Sequence, residues 1–415
     1  MSDLFQNMSD LFQNMSDIIF FTCRVFFSLN YSASNYIPPD FEKTAEKRNF
    51  VTKFNVTHRT KTVKPVAHIL AIRLSALGDV AMTVPAIHSL AISYPNDEIT
   101  VVSRRKWGAL FHEMPANVHF YGIDMDDYAG IRGLERLFRE LQEMRFDCVA
   151  DLHDVLRTKY LSLRFRMNHI PVVPIKKGRR AKKELTRRKN KRLKPLETSV
   201  QRYADVFARL GYPFEFNFTS IFGEEKGDVG TLAELVGSKN EDEWIGVAPF
   251  AQHKGKIYPP ELTERVVSIL CKYPRRRIFI FGGGEEEKNI ALEWEKRYPA
   301  VTSMIGYGRM EDELGVLSRM DVVLSMDSAN MHLASITGVP VVSIWGATHP
   351  YAGFQGWGQE PSNFIQADMD CRPCSVYGNK PCLRGDYACL TRISPDTVAE
   401  KIESIIEKRK LTNAK

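Results

Sequence analysis

Cysteine is scarce in this chain of 415 residues: there are seven, an odd number. That count excludes a disulfide-built scaffold and favours a reducing compartment. Long apolar runs are missing too. IIFFTCRVFFSL, residues 18–29, is broken by Arg24 and is shorter than the roughly 20 residues a membrane-spanning helix needs. It has no preceding basic region and no clear small-residue cleavage site, so the marks of a signal peptide are absent. Apolar residues at 44% and charged residues at 26% exclude a disordered, collagen-like or polytopic membrane chain.

Excess charge is also scarce, except in one place. Residues 176–194, KKGRRAKKELTRRKNKRLK, hold twelve Lys and Arg against one Glu, a local charge of +11. Since the whole chain carries +7, the remainder is mildly acidic at −4. A solvated loop, a docking patch for anionic lipid or glycolipid phosphates, and an RNA-binding segment are the readings of such a run. It has no interleaved aromatics and no RNA-binding motif accompanies it, so no nucleic-acid partner is expected.

MSDLFQN stands twice in tandem at 1–7 and 8–14, which points to a duplication in the coding DNA or a misassigned start. Residues 1–64 are therefore expected to be a weakly ordered extension. Beyond them strand and helix patterns alternate. Apolar strand runs at 68–74, 98–103, 118–123, 146–152 and 169–175 are separated by helical periodicity, and a helix over SVQRYADVFARLG stops at Gly211. Residues 213–243 read as a linker with little core. A second alternating set starts at EWIGVAP, 243–249, and runs through RRIFIFGGG, DVVLSM and VPVVSIWG, 339–346. Two such arrays predict two Rossmann-like α/β domains, 65–212 and 244–393, each a doubly wound parallel sheet, with a final helix and tail at 394–415. Ligands of such sheets bind beyond the carboxyl ends of the strands, here in the central cleft the two domains face.

Three strand-to-helix junctions carry chemistry. In RLSALGDVAMTVPAI, 73–87, Asp79 falls on the first helical turn, where the dipole keeps it ionised and suited to take a proton from an attacking hydroxyl. An ordinary N-terminal capping role is the competing reading. Arg73 could hold an anionic acceptor or be a solvated charge. In LSMDSANMHLASITG, 324–338, the open N–H groups of Ser328, Ala329, Asn330 and Met331 make a diphosphate seat beside Asp327, and His332 lies one turn in, as a phosphate or sugar contact or as a core histidine. In APFAQHKGKIYPP, 248–260, Lys254 and Lys256 stand where charge on a departing diphosphate could be met, or are merely solvated. Gly282–Gly284 permit close approach of a ligand, and Glu286 could accept bonds from ribose hydroxyls.

Taken together, IRLSALGDVAMTVPAI, the K-x-Y-P step at Lys256 to Pro259, and MDSANMHLASITGVPVVSIWGAT resemble glycosyltransferase family 9, the ADP-heptose:lipopolysaccharide heptosyltransferases. The resemblance covers roughly 65–405. It implies a GT-B fold and an inverting, metal-independent enzyme that moves heptose or a related sugar from an ADP-sugar to a lipopolysaccharide-core or similar glycolipid; another GT-B nucleotide-sugar enzyme, with a different donor or acting as an epimerase, is the alternative. Such a transferase would be cytoplasmic, and a glycolipid acceptor implies a peripheral position at the inner membrane's cytoplasmic face. By matching motif, Asp79 is implied as general base, Arg73 as a contact to acceptor anions, Lys256 as a donor-diphosphate contact, and Asp327 to His332 with Glu286 as the donor site. DLHDVLRTKY, 151–160, is similar to the family's D-x-Q-G-x-x-[KR] acceptor segment, which implies His153 and Arg157 on the acceptor side, with His153 and Asp154 replacing Gln-Gly.

Two other patterns invite metal chemistry. Asp124-Met125-Asp126 and Asp368-Met369-Asp370 have the D-x-D form of metal-dependent transferases, but the two-domain alternation argues against that use. Cys371, Cys374, Cys382 and Cys389 form C-x2-C-x7-C-x6-C, a spacing compatible with structural zinc, free thiols or oxidised pairs.

Overall fold

The computed structural model describes residues 66–413. The tandem repeat, the apolar run at 18–29 and the rest of the expected extension lie outside the described residues.

The first half runs β1 (His68–Ile72), α1 (Leu77–Ala81), α2 (Val84–Ser93), β2 (Glu98–Arg104), β3 (Val118–Ile123), α3 (Gly130–Glu143), β4 (Cys148–Asp151), α4 (Leu156–Met167), β5 (Val172–Pro174), α5 (Arg179–Thr186) and α6 (Ser199–Arg209). Its five strands pair in parallel in the order β3-β2-β1-β4-β5. Central β1 is buried at four of its five positions, as a strand covered by helices on both faces requires. The helical pattern at 80–94 divides into α1 and α2, with Pro85 in the first turn of α2, where its missing N–H costs nothing. Thr198 and Gln201 cap α6 reciprocally: the Gln201 N–H donates to Thr198 Oγ1 at 3.2 Å, and Gln201 Oε1 accepts the Thr198 N–H at 2.9 Å.

The second half contains β6 (Glu243–Ala248), α7 (Pro260–Leu270), β7 (Arg276–Ile280), α8 (Glu285–Arg297), β8 (Val301–Ser303), α9 (Met310–Ser318), β9 (Val322–Met326), α10 (Ala329–Ile336), β10 (Val341–Ile344), β11 (Phe364–Ile365) and α11 (Pro395–Asn413). The sheet order is β11-β10-β9-β6-β7-β8, again all parallel. Counted from its own first strand, this is the dinucleotide-fold order 3-2-1-4-5-6, and the first sheet follows the same order through five strands. Strand order therefore reverses between β1 and β4 in one sheet and between β6 and β9 in the other. Those are the two places where such folds open a crevice.

Two expectations change. Residues 213–243, read as a linker with little core, bury Phe218, Ile221, Leu232 and Val236 in a cluster shared with both sheets, and include a helical turn at Ala233–Val236. Their apolar side chains follow no regular period because most of this chain is irregular. The basic run is not simply a loop, since its first part forms α5 and buries Leu185. The final helix packs on the second sheet, where Val398, Ala399, Ile402 and Ile406 join its core.

Candidate active site

The chain leaves β1 at Ile72 and turns into α1, which carries Asp79 in its first turn. Asp79 Oδ2 accepts from the Arg73 guanidinium at 2.7 Å and from the Ala76 N–H at 3.3 Å, while its Oδ1 has no partner among the described residues. Arg73 is not an outward-facing anion contact. It is buried, and its Nη1 donates to the Leu152 carbonyl at 2.7 Å. Burial pulls its pKa down, and the Tyr203 and Asp79 oxygens more than offset that pull. Arg73 thus fixes the carboxylate from behind and leaves one oxygen facing the cleft.

The segment after β4 is organised by the buried Asp151 carboxylate, which accepts the His153 N–H at 3.0 Å, the Asp154 N–H at 2.8 Å and the Ser162 hydroxyl at 3.2 Å. His153 is buried rather than lining the cleft. The Leu74 N–H donates to its Nδ1 and Ser75 Oγ lies 3.2 Å from its Nε2. Burial first, and then the Arg73 and Lys177 cations, push its pKa down to about 3, so the ring is neutral and holds the 74–75 turn in place. Arg157 is exposed on α4 and does not line the cleft. The two expected acceptor contacts of this segment are therefore a scaffold residue and a surface charge.

On the opposite wall, β9 ends at Met326 and α10 begins at Ala329 with Ser328 at its N-cap. Ser328, Ala329 and Asn330 face the cleft, whereas the Met331 side chain is 1% exposed and lies in the core, leaving only its backbone near the helix start. Asp327 is buried and pairs with the Lys256 ammonium at 3.0 Å. This carboxylate orients a lysine and is poorly suited to touch an anionic diphosphate itself. Lys254 is exposed, stands over the Tyr387 ring at 5.3 Å and does not line the cleft.

After β7, Gly282 and Gly283 line the cleft with Glu287, whose Oε2 accepts the Gly283 N–H at 2.8 Å and whose carboxyl is pushed up by burial. Glu286 is exposed and does not line the cleft. The expected carboxylate is thus displaced by one residue. The side chain of the third residue of α8 folds back over the helix start, and its neighbour is turned about 100° to solvent.

The two walls meet closely. A Cβ placed on Gly78 would lie 2.8 Å from His332 Cδ2 and 3.2 Å from Ala329 Cα, so this glycine lets the Asp79 turn sit directly against the start of α10. The cleft beside them has a volume of about 590 Å³. His332 lines it. Burial pushes the ring down to about 4, which keeps it neutral, and its Nδ1 is buried without a hydrogen-bond partner. An unpaired buried ring nitrogen is costly unless something else meets it.

Sequence reasoning missed Phe354 and Tyr377, which close the cleft, and Lys182 of α5, whose ammonium lies 4.1 Å from the Phe354 ring centroid. No local pattern marks them, because each comes from a different segment. The D-x-D strings are also outside the cleft: Asp126, Asp368 and Asp370 are exposed, and Asp124 pairs with Arg105.

The four late cysteines line one small cavity. Burial pushes the Cys389 thiol up to about 11 and that of Cys374 up as well. Among the described residues, no three His, Cys, Asp or Glu side chains stand together so as to hold a metal ion, so the structural-zinc expectation finds no ligand cage. The segment is tied down by Arg372, which donates to the carbonyls of Trp345, Gly346 and Ala367 at 2.8, 2.6 and 2.7 Å.

Comparison with known proteins agrees with this architecture. A lipopolysaccharide heptosyltransferase 1 from Pseudomonas aeruginosa is 24% identical over 366 residues, spanning 81% of this chain and 98% of that protein. Among solved structures, a glycosyl transferase family 9 protein from Veillonella parvula has a TM-score of 0.63 at 18% identity, covering 82% of this chain and 98% of its own. E. coli heptosyltransferase WaaC with ADP has a TM-score of 0.58 at 18% identity, covering 81% and 99%. These superpositions show the same fold. Residues 134–382 match the family model described as glycosyltransferase family 9 (heptosyltransferase). That match takes in more than half of the chain, parts of both sheets and the whole α10 wall of the cleft, and by it the chain belongs to glycosyltransferase family 9.

Proposed function

We propose that this glycosyltransferase moves a heptose from an ADP-sugar to a lipopolysaccharide-core glycolipid, with inversion at the anomeric carbon. The observation that carries this reading is the contact at Gly78, which sets a carboxylate with one open oxygen against a helix start with open N–H groups. The acceptor hydroxyl oxygen attacks the anomeric carbon from the Asp79 side. Its proton passes to Asp79 Oδ1 as the new C–O bond forms. The bond to the β-phosphate oxygen breaks on the opposite face, and the electron pair leaves with the diphosphate. The α10 N–H groups and Lys256 meet the charge that develops there, stabilisation of a kind worth about 2.7–4 kcal/mol per donor in other enzymes.

His332, neutral and lacking a partner at Nδ1, is placed to hydrogen-bond a donor hydroxyl or phosphate. Glu287 takes the ribose side. The acceptor role reaches this chain from its relatives, whose names specify lipopolysaccharide heptose transfer. Among the described residues no helix is long and apolar enough to cross a membrane. A glycolipid acceptor would be met at the cytoplasmic surface of the inner membrane.

The test is Asp79→Asn assayed with ADP-heptose and a core glycolipid in EDTA. Wild-type turnover should persist in the chelator, because protein N–H groups and Lys256 supply the charge stabilisation. The variant should lose roughly 10²–10⁴ in kcat, the usual share of a general base, while its ADP affinity by calorimetry stays within a few-fold. An equal loss of ADP binding would reject the assignment of Asp79 as base.

A further inference from the structure

The cleft uses little of the basic run, yet the fold builds something with it. The turn after α5 packs against the segment carrying the cysteines, and a second cavity of about 640 Å³ opens between them. Arg187, Arg188, Lys191, Lys380 and Arg384 line it, and no acidic residue does. Lys191 is spent on assembly: its ammonium donates to the carbonyls of Asp370, Cys371 and Arg372 at 3.0, 2.8 and 3.0 Å. Arg384 is held by Asp386 at 3.0 Å. Arg188 and Lys380 form no ion pair among the described residues.

Converging so many cations costs repulsion that a ligand of opposite charge would relieve, and the volume is that of a small-molecule site. The site also has a link to the reacting centre. Lys182, on the same helix, is 8% exposed, forms no ion pair among the described residues, and lies against cleft-lining Phe354. One end of α5 thus opens on the cavity and its middle on the catalytic wall. The Cys374–Cys382 segment does the same, since Tyr377 faces the cleft and Lys380 the cavity.

We infer that this cavity binds a multiply charged phosphate ester carried by the acceptor, at a point away from the hydroxyl that is glycosylated. Its assignment to the acceptor rests on the transferase reading; the phosphate-ester chemistry does not.

Calorimetry on the full chain with saturating ADP, which fills the donor seat, tests it with fructose 1,6-bisphosphate as a sugar-phosphate probe. Inorganic pyrophosphate and phosphatidylglycerol vesicles serve as alternatives. The sugar bisphosphate should bind, and Arg188→Gln/Lys380→Gln should weaken that binding at least about tenfold with an unchanged melting temperature. The KM for acceptor should rise in the same variant. Equal affinity in the variant, tighter binding of pyrophosphate, or binding to vesicles alone would each overturn the proposal. Loss of probe binding in the variant of a protein that turns over no ADP-sugar would support the cavity and reject the ADP-heptose reading.

Discussion

The two walls of the cleft are made of different material. The α10 wall is largely backbone: open N–H groups at a helix start, glycines after β7, and one lysine aligned by a buried aspartate. The Asp79 wall is largely side chain, and each group leans on another. Arg73 holds Asp79, the Leu152 carbonyl holds Arg73, and His153 holds the turn between them. A backbone cradle tolerates change in its neighbours, because the peptide groups stay whatever the side chains become. A chain of side chains fails at any link, but it can be retuned link by link for a new acceptor.

That contrast can be broken from either side. After the loss of the Asp79 carboxylate itself, the largest effect should come from the backbone wall's one charged donor. Lys256→Ala is expected to cost about 2.7–4 kcal/mol in the barrier and to weaken ADP binding as well. Calorimetry showing full ADP affinity would remove Lys256 from the diphosphate.

A smaller loss should follow Gly78→Ala, which puts a methyl 2.8 Å from His332 Cδ2 where the walls touch. Overpacking of this kind costs about 1–3 kcal/mol. It should appear as a fall in kcat/KM toward both substrates with the circular dichroism spectrum preserved. Wild-type kinetics in this variant would mean that the close approach is not needed for turnover.

The smallest effect sharpens the comparison through pH. His153 on one wall and His332 on the other are held neutral, at about 3 and about 4, against an ordinary 6.5. Below pH 6.5 the unfolded chain takes up protons that the folded rings refuse. Stability is therefore present above that pH and falls as pH drops toward 4, by up to about 1.4 kcal/mol per pH unit for each ring. Urea midpoints at pH 7 and pH 5 should show it, and His153→Gln should flatten the slope. An unchanged slope would mean that His153 is accessible to protons in the folded protein.

The same division explains what the sequence disclosed. The first sheet and four strands of the second were legible, since buried parallel strands are continuous apolar runs and their helices repeat at helical spacing; β8 and β11, of three and two residues, are too short to leave such a run. Asp79, Lys256 and Ser328 to Asn330 were legible because each stands in the junction between a strand and the helix that follows it. The expected carboxylate was Glu286, whereas Glu287 lines the cleft, because which carboxylate folds back depends on where α8 starts. Arg73 was found but misread: nothing nearby in sequence shows that Leu152, far along the chain, will supply its carbonyl. Phe354, Tyr377 and Lys182 were invisible for the same reason. The cysteine spacing showed that the four thiols would gather, and they do line one cavity, but the tie that Arg372 makes to backbone carbonyls leaves no trace in a spacing pattern.

The connector between the sheets has a further consequence. Phe218, Ile221, Leu232 and Val236 are sealed into a cluster that draws on both halves. A gene cut at residue 212 would strip that seam and leave greasy surface on each fragment, so neither lobe is a module that could be borrowed alone. For the intact molecule, any opening of the cleft has to pivot around a filled joint rather than swing on a slack tether.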